Sequence, residues 1–190
     1  MIESAKFLEE NGYLYLKDFV DKKSCQLMTM NIFDLINRKK GVRDSDCPLS
    51  FSFNGAFDQA QYELLPILEG LCGKKLLATM NYTRFYMPNE VLEKHIDCEI
   101  CEYSITVTLD FNGSPWPFYI EDAFLNERQI IMTAGDAVLY KGHERPHWRK
   151  KYVEGKWQAQ TFFHYVDSDG KFTNYPEIEK MKLRNAKNDI

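Results

Sequence analysis

Hydrophobic and polar positions change rhythm near Gly73. Before it, apolar residues recur at helical spacing. Ser4 to Asn11 reads as a first helix, stopped by Gly12 and followed by the apolar run Tyr13-Leu14-Tyr15-Leu16. Asp21 stands as an N-cap for a long amphipathic helix from Lys22 to Lys40. Its Leu27, Met28, Ile32, Phe33 and Ile36 fall near helical spacing, and Gly41 takes the position after its last turn. Residues 42 to 57 carry the loop chemistry of Asp44, Asp46, Pro48, Ser50, Asn54 and Gly55. A third helical pattern runs from Asp58 through Tyr62, Leu65, Leu68 and Leu71 to Gly73, with Pro66 as a point of kinking.

Beyond Gly73, aromatic and β-branched residues alternate in short runs between turn residues. The expected strands are Leu76 to Tyr86, Tyr103 to Phe111, Pro117 to Ile120, Gln129 to Thr133, Ala137 to Tyr140 and Gln158 to Val166. Turns fall at Pro88-Asn89, Asn112-Gly113-Ser114-Pro115, Ala134-Gly135-Asp136 and Ser168-Asp169-Gly170. The simplest architecture is helices packed against one face of an antiparallel sandwich or barrel. The charged segment Ile178 to Ile190 reads as a frayed or weakly helical tail.

The chain of 190 residues suits one domain, since a chain of this size buries roughly 70% of its unfolded surface. An aromatic content of 14% argues against disorder and against a plain helical bundle. With 24 Lys+Arg against 28 Asp+Glu, scattered and summing to −4, no broad cationic face is expected, which argues against a nucleic-acid partner. Acidic residues near the N-terminus do not fit an export signal, and no run of about 18 apolar residues is present to span a membrane. Five cysteines at irregular spacing read as reduced thiols of a cytoplasmic protein.

The histidines number four: His95, His143, His147 and His164. In an extended segment, side chains at i and i+2 share a face, so His95 and Asp97 can reach one metal ion and draw a third ligand from a neighbouring strand. His147 fits that role. Pro146 before it and the strand-like Trp148-Arg149 after it suit a rigid ligand at a strand start, an advantage over His143. Two imidazoles and a carboxylate on one face leave three positions of an octahedral ion open, as non-haem Fe(II) oxygenases require. A surface turn pair is the competing reading of His95 and Asp97. His164, in Phe162-Phe163-His164-Tyr165, reads as a packed histidine, or as one behind the ligands or in the substrate pocket.

Asn81-Tyr82-Thr83-Arg84-Phe85-Tyr86-Met87-Pro88 through His95-Ile96-Asp97 resembles the strand, turn and ligand loop of the 2-oxoglutarate/Fe(II)-dependent oxygenases, including their prolyl hydroxylase-like branch. Gly135-Asp136-Ala137-Val138-Leu139-Tyr140 through Pro146-His147-Trp148-Arg149 is similar to that family's segment leading to the distal histidine. The resemblance covers residues 76 to 166. It implies a mainly β fold with N-terminal helices (α+β), a double-stranded β-helix of the jelly-roll, cupin-like kind. Residues 1–75 would form helical support, 76–166 the jelly-roll core and 167–190 a C-terminal tail. It also implies His95, Asp97 and His147 as catalytic iron ligands, with Fe(II), 2-oxoglutarate as cosubstrate and O2. The implied reaction oxidises a C–H bond, usually to a hydroxylated product, and yields succinate and CO2. Related halogenases lack the carboxylate ligand, so Asp97 favours hydroxylation.

The family's common pattern places an arginine a short way beyond the distal histidine to bind the cosubstrate's C5 carboxylate, but Trp157 stands there, with Lys156 beside it. The cation must come from elsewhere. Arg149 shares strand parity with His147 and is ranked first. Tyr86 and Arg84 follow: they share parity with each other, and Tyr86 matches a tyrosine often near the cosubstrate in the family. An arginine suits a buried carboxylate better than Lys156 because its guanidinium binds in bidentate fashion.

Cys98-Glu99-Ile100-Cys101 follows the proposed ligands. A structural zinc site normally closes with a second cysteine pair, and a thioredoxin-like role needs a helix where Glu102 to Phe111 reads as strand. Thiols so placed remain open to oxidation during uncoupled turnover. Gly41 to Ala56 and Glu121 to Arg128 are candidate lids or plain solvated loops. The leading expectation is a hydroxylase of a small molecule, amino acid or peptide, monomeric or homodimeric. The alternatives are a cupin-like metalloenzyme without 2-oxoglutarate and a non-catalytic jelly-roll binding module.

Overall fold

The computed structural model describes residues 3–42, 49–52 and 55–174. Among the described residues the three α-helices come early: α1 (Glu3–Asn11), α2 (Lys22–Asn37) and α3 (Gly55–Cys72). Asp21 caps α2 as expected, its carboxylate accepting the Ser24 backbone N–H at 3.0 Å. The other end differs from expectation. α2 stops at Asn37, and Lys39, not Gly41, takes the left-handed turn with φ 54°, its neighbour Lys40 N–H donating back to Leu35 O at 3.0 Å. Gly41 has another use: a Cβ there would strike the Leu49 and Phe51 side chains. α3 starts at Gly55, before the expected Asp58, and runs on through Pro66.

The strands are β1 (Tyr13–Leu16), β2 (Leu49–Ser52), β3 (Leu76–Tyr86), β4 (Leu92–His95), β5 (Tyr103–Gly113), β6 (Phe118–Glu121), β7 (Glu127–Ile130), β8 (Ala137–Tyr140), β9 (His147–Arg149) and β10 (Gly155–Asp167). They form a six-stranded sheet, β1-β8-β5-β10-β3-β2, and a four-stranded sheet, β4-β9-β6-β7, with antiparallel pairing throughout. From β3 to β10 the chain repeatedly crosses between the two sheets. That alternation is the double-stranded β-helix expected from the sequence.

The six-stranded sheet is buried on both faces, with opposite chemistry. Tyr103, Ile105, Val107 and Leu109 of β5, and Ala159, Phe163 and Tyr165 of β10, join Leu8, Ile32, Phe57 and Leu68 of the helices in the main apolar core. Period-two alternation turns Ser104, Thr106, Thr108, Gln158, Gln160 and His164 to the other face, where they too are buried. The inward face of β5 and β10 is therefore largely polar, and the helices shield the sheet from behind.

Some sequence expectations change. The first 75 residues are not wholly helical, because β1 pairs with β8 and β2 pairs with β3. The candidate lid Gly41 to Ala56 holds β2, whose register Leu49↔Phe85 ties it to the sheet; residues 43–48 and 53–54 lie outside the described residues. Glu121 to Arg128 is a hairpin connection pinned by Asp122, which accepts from Phe124 N–H at 2.8 Å, Asn126 N–H at 2.9 Å and Arg128 Nε at 2.8 Å. The expected strand Gln129 to Thr133 is shifted to Glu127–Ile130. The tail expectation for Ile178 to Ile190, and Cys47, fall outside the described residues.

Candidate metal centre

β4 and β9 are adjacent in the smaller sheet, and their register sets His95 directly opposite His147. The imidazole centroids are 4.3 Å apart. Asp97 lies just past β4, its backbone N–H donating to Gly142 O at 2.9 Å. Its Oδ1 stands 3.7 Å from His95 Nε2 and 3.6 Å from His147 Nε2. One ligand atom from each residue falls within 4.8 Å of the others. The structure thus brings together the three residues singled out in the sequence, whereas His143 packs edge-on against Phe172 at 4.8 Å.

Backbone carbonyls fix the tautomers. His95 Nδ1 is 2.7 Å from Glu93 O and His147 Nδ1 is 3.0 Å from Arg145 O. A ring that donates through Nδ1 keeps its lone pair on Nε2, the nitrogen facing Asp97 in both residues. Burial pushes His147 down to about 4 against the opposing pull of Asp97, so it is neutral at pH 7. Burial also acts to raise the Asp97 carboxyl, but His147, His164, the Ser104 hydrogen bond and His95 outweigh it and hold Asp97 below the ordinary carboxylate value. The result is two imidazoles turned to present Nε2 beside one ionised carboxylate.

A second layer of contacts orients Asp97. Ser104 Oγ donates to its Oδ2 at 2.8 Å and lies 2.9 Å from His164 Nδ1. Because the serine proton is committed to Asp97, His164 Nδ1 must donate to Ser104 Oγ. Tyr82 stacks on the His164 ring at 5.4 Å. Gly142 lets this loop close up, since a Cβ there would collide with Ser104 Oγ, Asp97 Oδ2 and the Cys101 carbonyl. The β10–β3 register shifts between Phe163 and Tyr165, beside His164. Gln61 of α3 reaches across the core there, its amide donating to His164 O at 2.9 Å and Met80 O at 3.1 Å. Neither Ser104 nor Gln61 carried a signal that could mark it from sequence alone.

Arg149, two residues beyond His147 on β9, is 1% exposed. Its guanidinium lies 5.2 Å from the Trp116 ring centroid and 5.4 Å from that of Phe118, and it donates to Trp116 O. The ionisable groups that bear on it are the phenols of Tyr86, Tyr140 and Tyr152. Burial pulls it down to about 10, which leaves it charged at neutral pH. Its Nε and Nη2, and the hydroxyl of fully buried Tyr86, find no hydrogen-bond partner among the described residues. A buried cation beside unsatisfied donors fits a site for an anion's oxygens.

Arg84 also faces the interior, its guanidinium 5.0 Å from the Tyr82 ring and 5.9 Å from that of Phe162. Trp157 faces away, packing against Phe33 at 5.3 Å and Phe85 at 5.4 Å in the helical layer. Its inward neighbour Gln158 is neutral, so the inward-facing cations of this region are Arg149 of β9 and Arg84 of β3.

The fold is that of the 2-oxoglutarate/Fe(II) oxygenases, and three solved structures show the likeness. The prolyl-4-hydroxylase of Pseudomonas putida matches with TM-score 0.69 at 13% identity, over 85% of this chain and 96% of that one. HygX of Streptomyces hygroscopicus, solved with nickel and 2-oxoglutarate bound, matches with TM-score 0.72 at 14% identity, over 89% and 88%. The non-haem α-ketoglutarate-dependent epimerase SnoN of nogalamycin biosynthesis matches with TM-score 0.74 at 12% identity, over 86% and 81%. At these identities the likeness is one of fold. No family model and no curated protein matches the sequence.

Proposed function

We propose that the protein is an Fe(II)- and 2-oxoglutarate-dependent oxygenase that hydroxylates a C–H bond of a small molecule, amino acid or peptide. One observation carries this reading. A His-Asp-His cluster and a buried arginine with unsatisfied donors come from one β-helix, and His147 and Arg149 share a strand face.

In this reading His95 Nε2, Asp97 Oδ1 and His147 Nε2 hold Fe(II), a donor set suited to that ion with further positions left open. Arg149 Nε and Nη2 and the Tyr86 hydroxyl take the distal carboxylate of 2-oxoglutarate. When both are bound, iron and 2-oxoglutarate together with O2 would supply the oxidant that removes hydrogen from an unreactive C–H bond, one oxygen atom going to the product and the other to succinate, with release of CO2. The chain's own contribution is placement. Ser104 keeps Asp97 oriented, the two carbonyl-bonded imidazoles present Nε2 to the metal, and the aromatic wall of Tyr86, Trp116, Phe118 and Tyr152 keeps water from the Arg149 pair. Hydroxylation is favoured because Asp97 completes a three-residue ligand set. The bound nickel and 2-oxoglutarate of HygX lend support to the same pair of ligands here. Placement in the cytoplasm belongs to the same proposal, since reducing surroundings keep iron ferrous.

The test is succinate formation. Aerobic protein with Fe(II), ascorbate and 2-oxoglutarate, followed by NMR, should convert 2-oxoglutarate to succinate slowly without substrate, and His95→Ala or Asp97→Ala should abolish the conversion. Conversion that survives both substitutions would overturn the assignment.

A further inference from the structure

Cys98 and Cys101 follow Asp97 directly, and the proposed chemistry does not use them. A short 3-10 turn, Glu99–Cys101, folds the segment back so that Cys101 N–H donates to Cys98 O at 2.9 Å. Thr79 Oγ1 clamps the turn from β3 by donating to Ile100 O at 2.7 Å, and Ser104 Oγ approaches Cys101 O at 3.3 Å. The turn sets the two sulfurs 3.6 Å apart. Cys98 is exposed, and Cys101 is buried at 3%. The pair therefore has one sulfur that a small oxidant can reach and a second, protected sulfur in contact with it. The other described cysteines differ: Cys25 and Cys72 are buried, and burial pushes their thiols up to about 11 and about 12.

We propose that Cys98 and Cys101 form a peroxide-oxidisable dithiol that closes to a reversible disulfide beside the metal-ligand cluster. This inference does not depend on the oxygenase reading. The Cys98 sulfur attacks one oxygen of hydrogen peroxide and the O–O bond breaks. The departing hydroxide takes the thiol proton as water, leaving Cys98 as a sulfenic acid. The Cys101 sulfur then attacks Cys98 Sγ and the S–O bond breaks. The departing oxygen leaves as a second water with the Cys101 proton. Two thiols lose two electrons in all, and one peroxide gains them. Sulfurs already in contact need side-chain rotation and a small backbone shift to bond, and no rearrangement of the sheet. A strand, β5, follows the pair in place of the helix of thioredoxin-like sites, so the dithiol suits sensing of peroxide rather than disulfide exchange with other proteins.

The test uses metal-free protein, held in chelator, treated with hydrogen peroxide and then alkylated, with the peptide spanning both cysteines read by mass spectrometry. The expected product has lost two hydrogens, resists alkylation, and takes two alkyl groups after dithiothreitol. Cys101→Ala should instead carry Cys98 on to sulfinic acid, because the resolving sulfur is gone, and Cys98→Ser should leave Cys101 unoxidised at the same peroxide dose. Wild-type protein whose two thiols both survive, or whose Cys98 becomes sulfinic acid while Cys101 stays a thiol, would overturn the proposal. The wild-type measurement decides the matter even where a variant fails to fold.

Discussion

His147 and Arg149 share the inward face of β9, a strand of three residues, so a single short element fixes both an imidazole of the His-Asp-His cluster and a buried cation. The spacing between them is set by the strand's period, independent of any loop. That coupling has opposite consequences for binding and for stability.

Arg149→Met should weaken 2-oxoglutarate binding by roughly 100-fold, since losing a charge-assisted pair costs about 3 kcal/mol. Arg149→Lys should fall between, keeping the charge without the fork. The same Arg149→Met protein, without ligands, should melt no lower than the parent, because a buried charge with no ionised partner among the described residues is a burden on the fold. Calorimetric titration with Mn(II) in place of iron, together with thermal unfolding, checks both signs. Weaker binding with a large fall in Tm would make Arg149 a structural residue.

Ser104→Ala removes the donor to Asp97 Oδ2 while leaving all three proposed ligand atoms in place. Metal affinity should drop on the order of tenfold, the usual effect of losing such a supporting contact. Co(II) titration of the folded variant measures it, and unchanged affinity would mean that Asp97 is held by its backbone alone.

Gly142→Ala forces a Cβ into Ser104 Oγ, Asp97 Oδ2 and Cys101 O. Overpacking of this kind costs about 1–3 kcal/mol, and here the strain falls on the ligand loop. A lower Tm should therefore come with weaker Co(II) binding; a parental Tm would show that the loop relaxes freely.

His147 sits at about 4 in the fold against an ordinary 6.5, so it is neutral when folded and takes up a proton on unfolding anywhere between those values. The unfolded chain then binds more protons, and stability is lost as pH falls through that window and is level above it. Burial shifts His164 in the same direction. Thermal unfolding in chelator from pH 7 to pH 4 should show the decline, and His147→Gln should make it shallower. Identical slopes would argue against a buried neutral His147.

Much of the site was legible because its chemistry is local. His95, Asp97 and His147 announce themselves through an i, i+2 pair and a Pro-His-Trp-Arg strand start, and the parity of Arg149 with His147 survives in the structure. The sequence predicts β3 and β8 with the observed bounds, because long alternation and an unbroken apolar run identify themselves. β2 was hidden for the opposite reason. Four residues flanked by loop-forming side chains become strand through pairing with β3, a contact remote in sequence. Ser104 and Gln61 were equally hidden, since a serine in a strand and a glutamine in a helix gain a role from what lies opposite them. Trp157 shows the limit of counting residues: it occupies the spacing of a ligand-binding arginine but faces the helices.

The most direct test of the site is an anaerobic titration of Fe(II)-loaded protein with 2-oxoglutarate, followed in the visible spectrum. A weak, saturable charge-transfer band should appear, be lost in His95→Ala and Asp97→Ala, and require far more 2-oxoglutarate in Arg149→Met. Stoichiometric Fe(II) binding with no band at any 2-oxoglutarate concentration would contradict the oxygenase assignment.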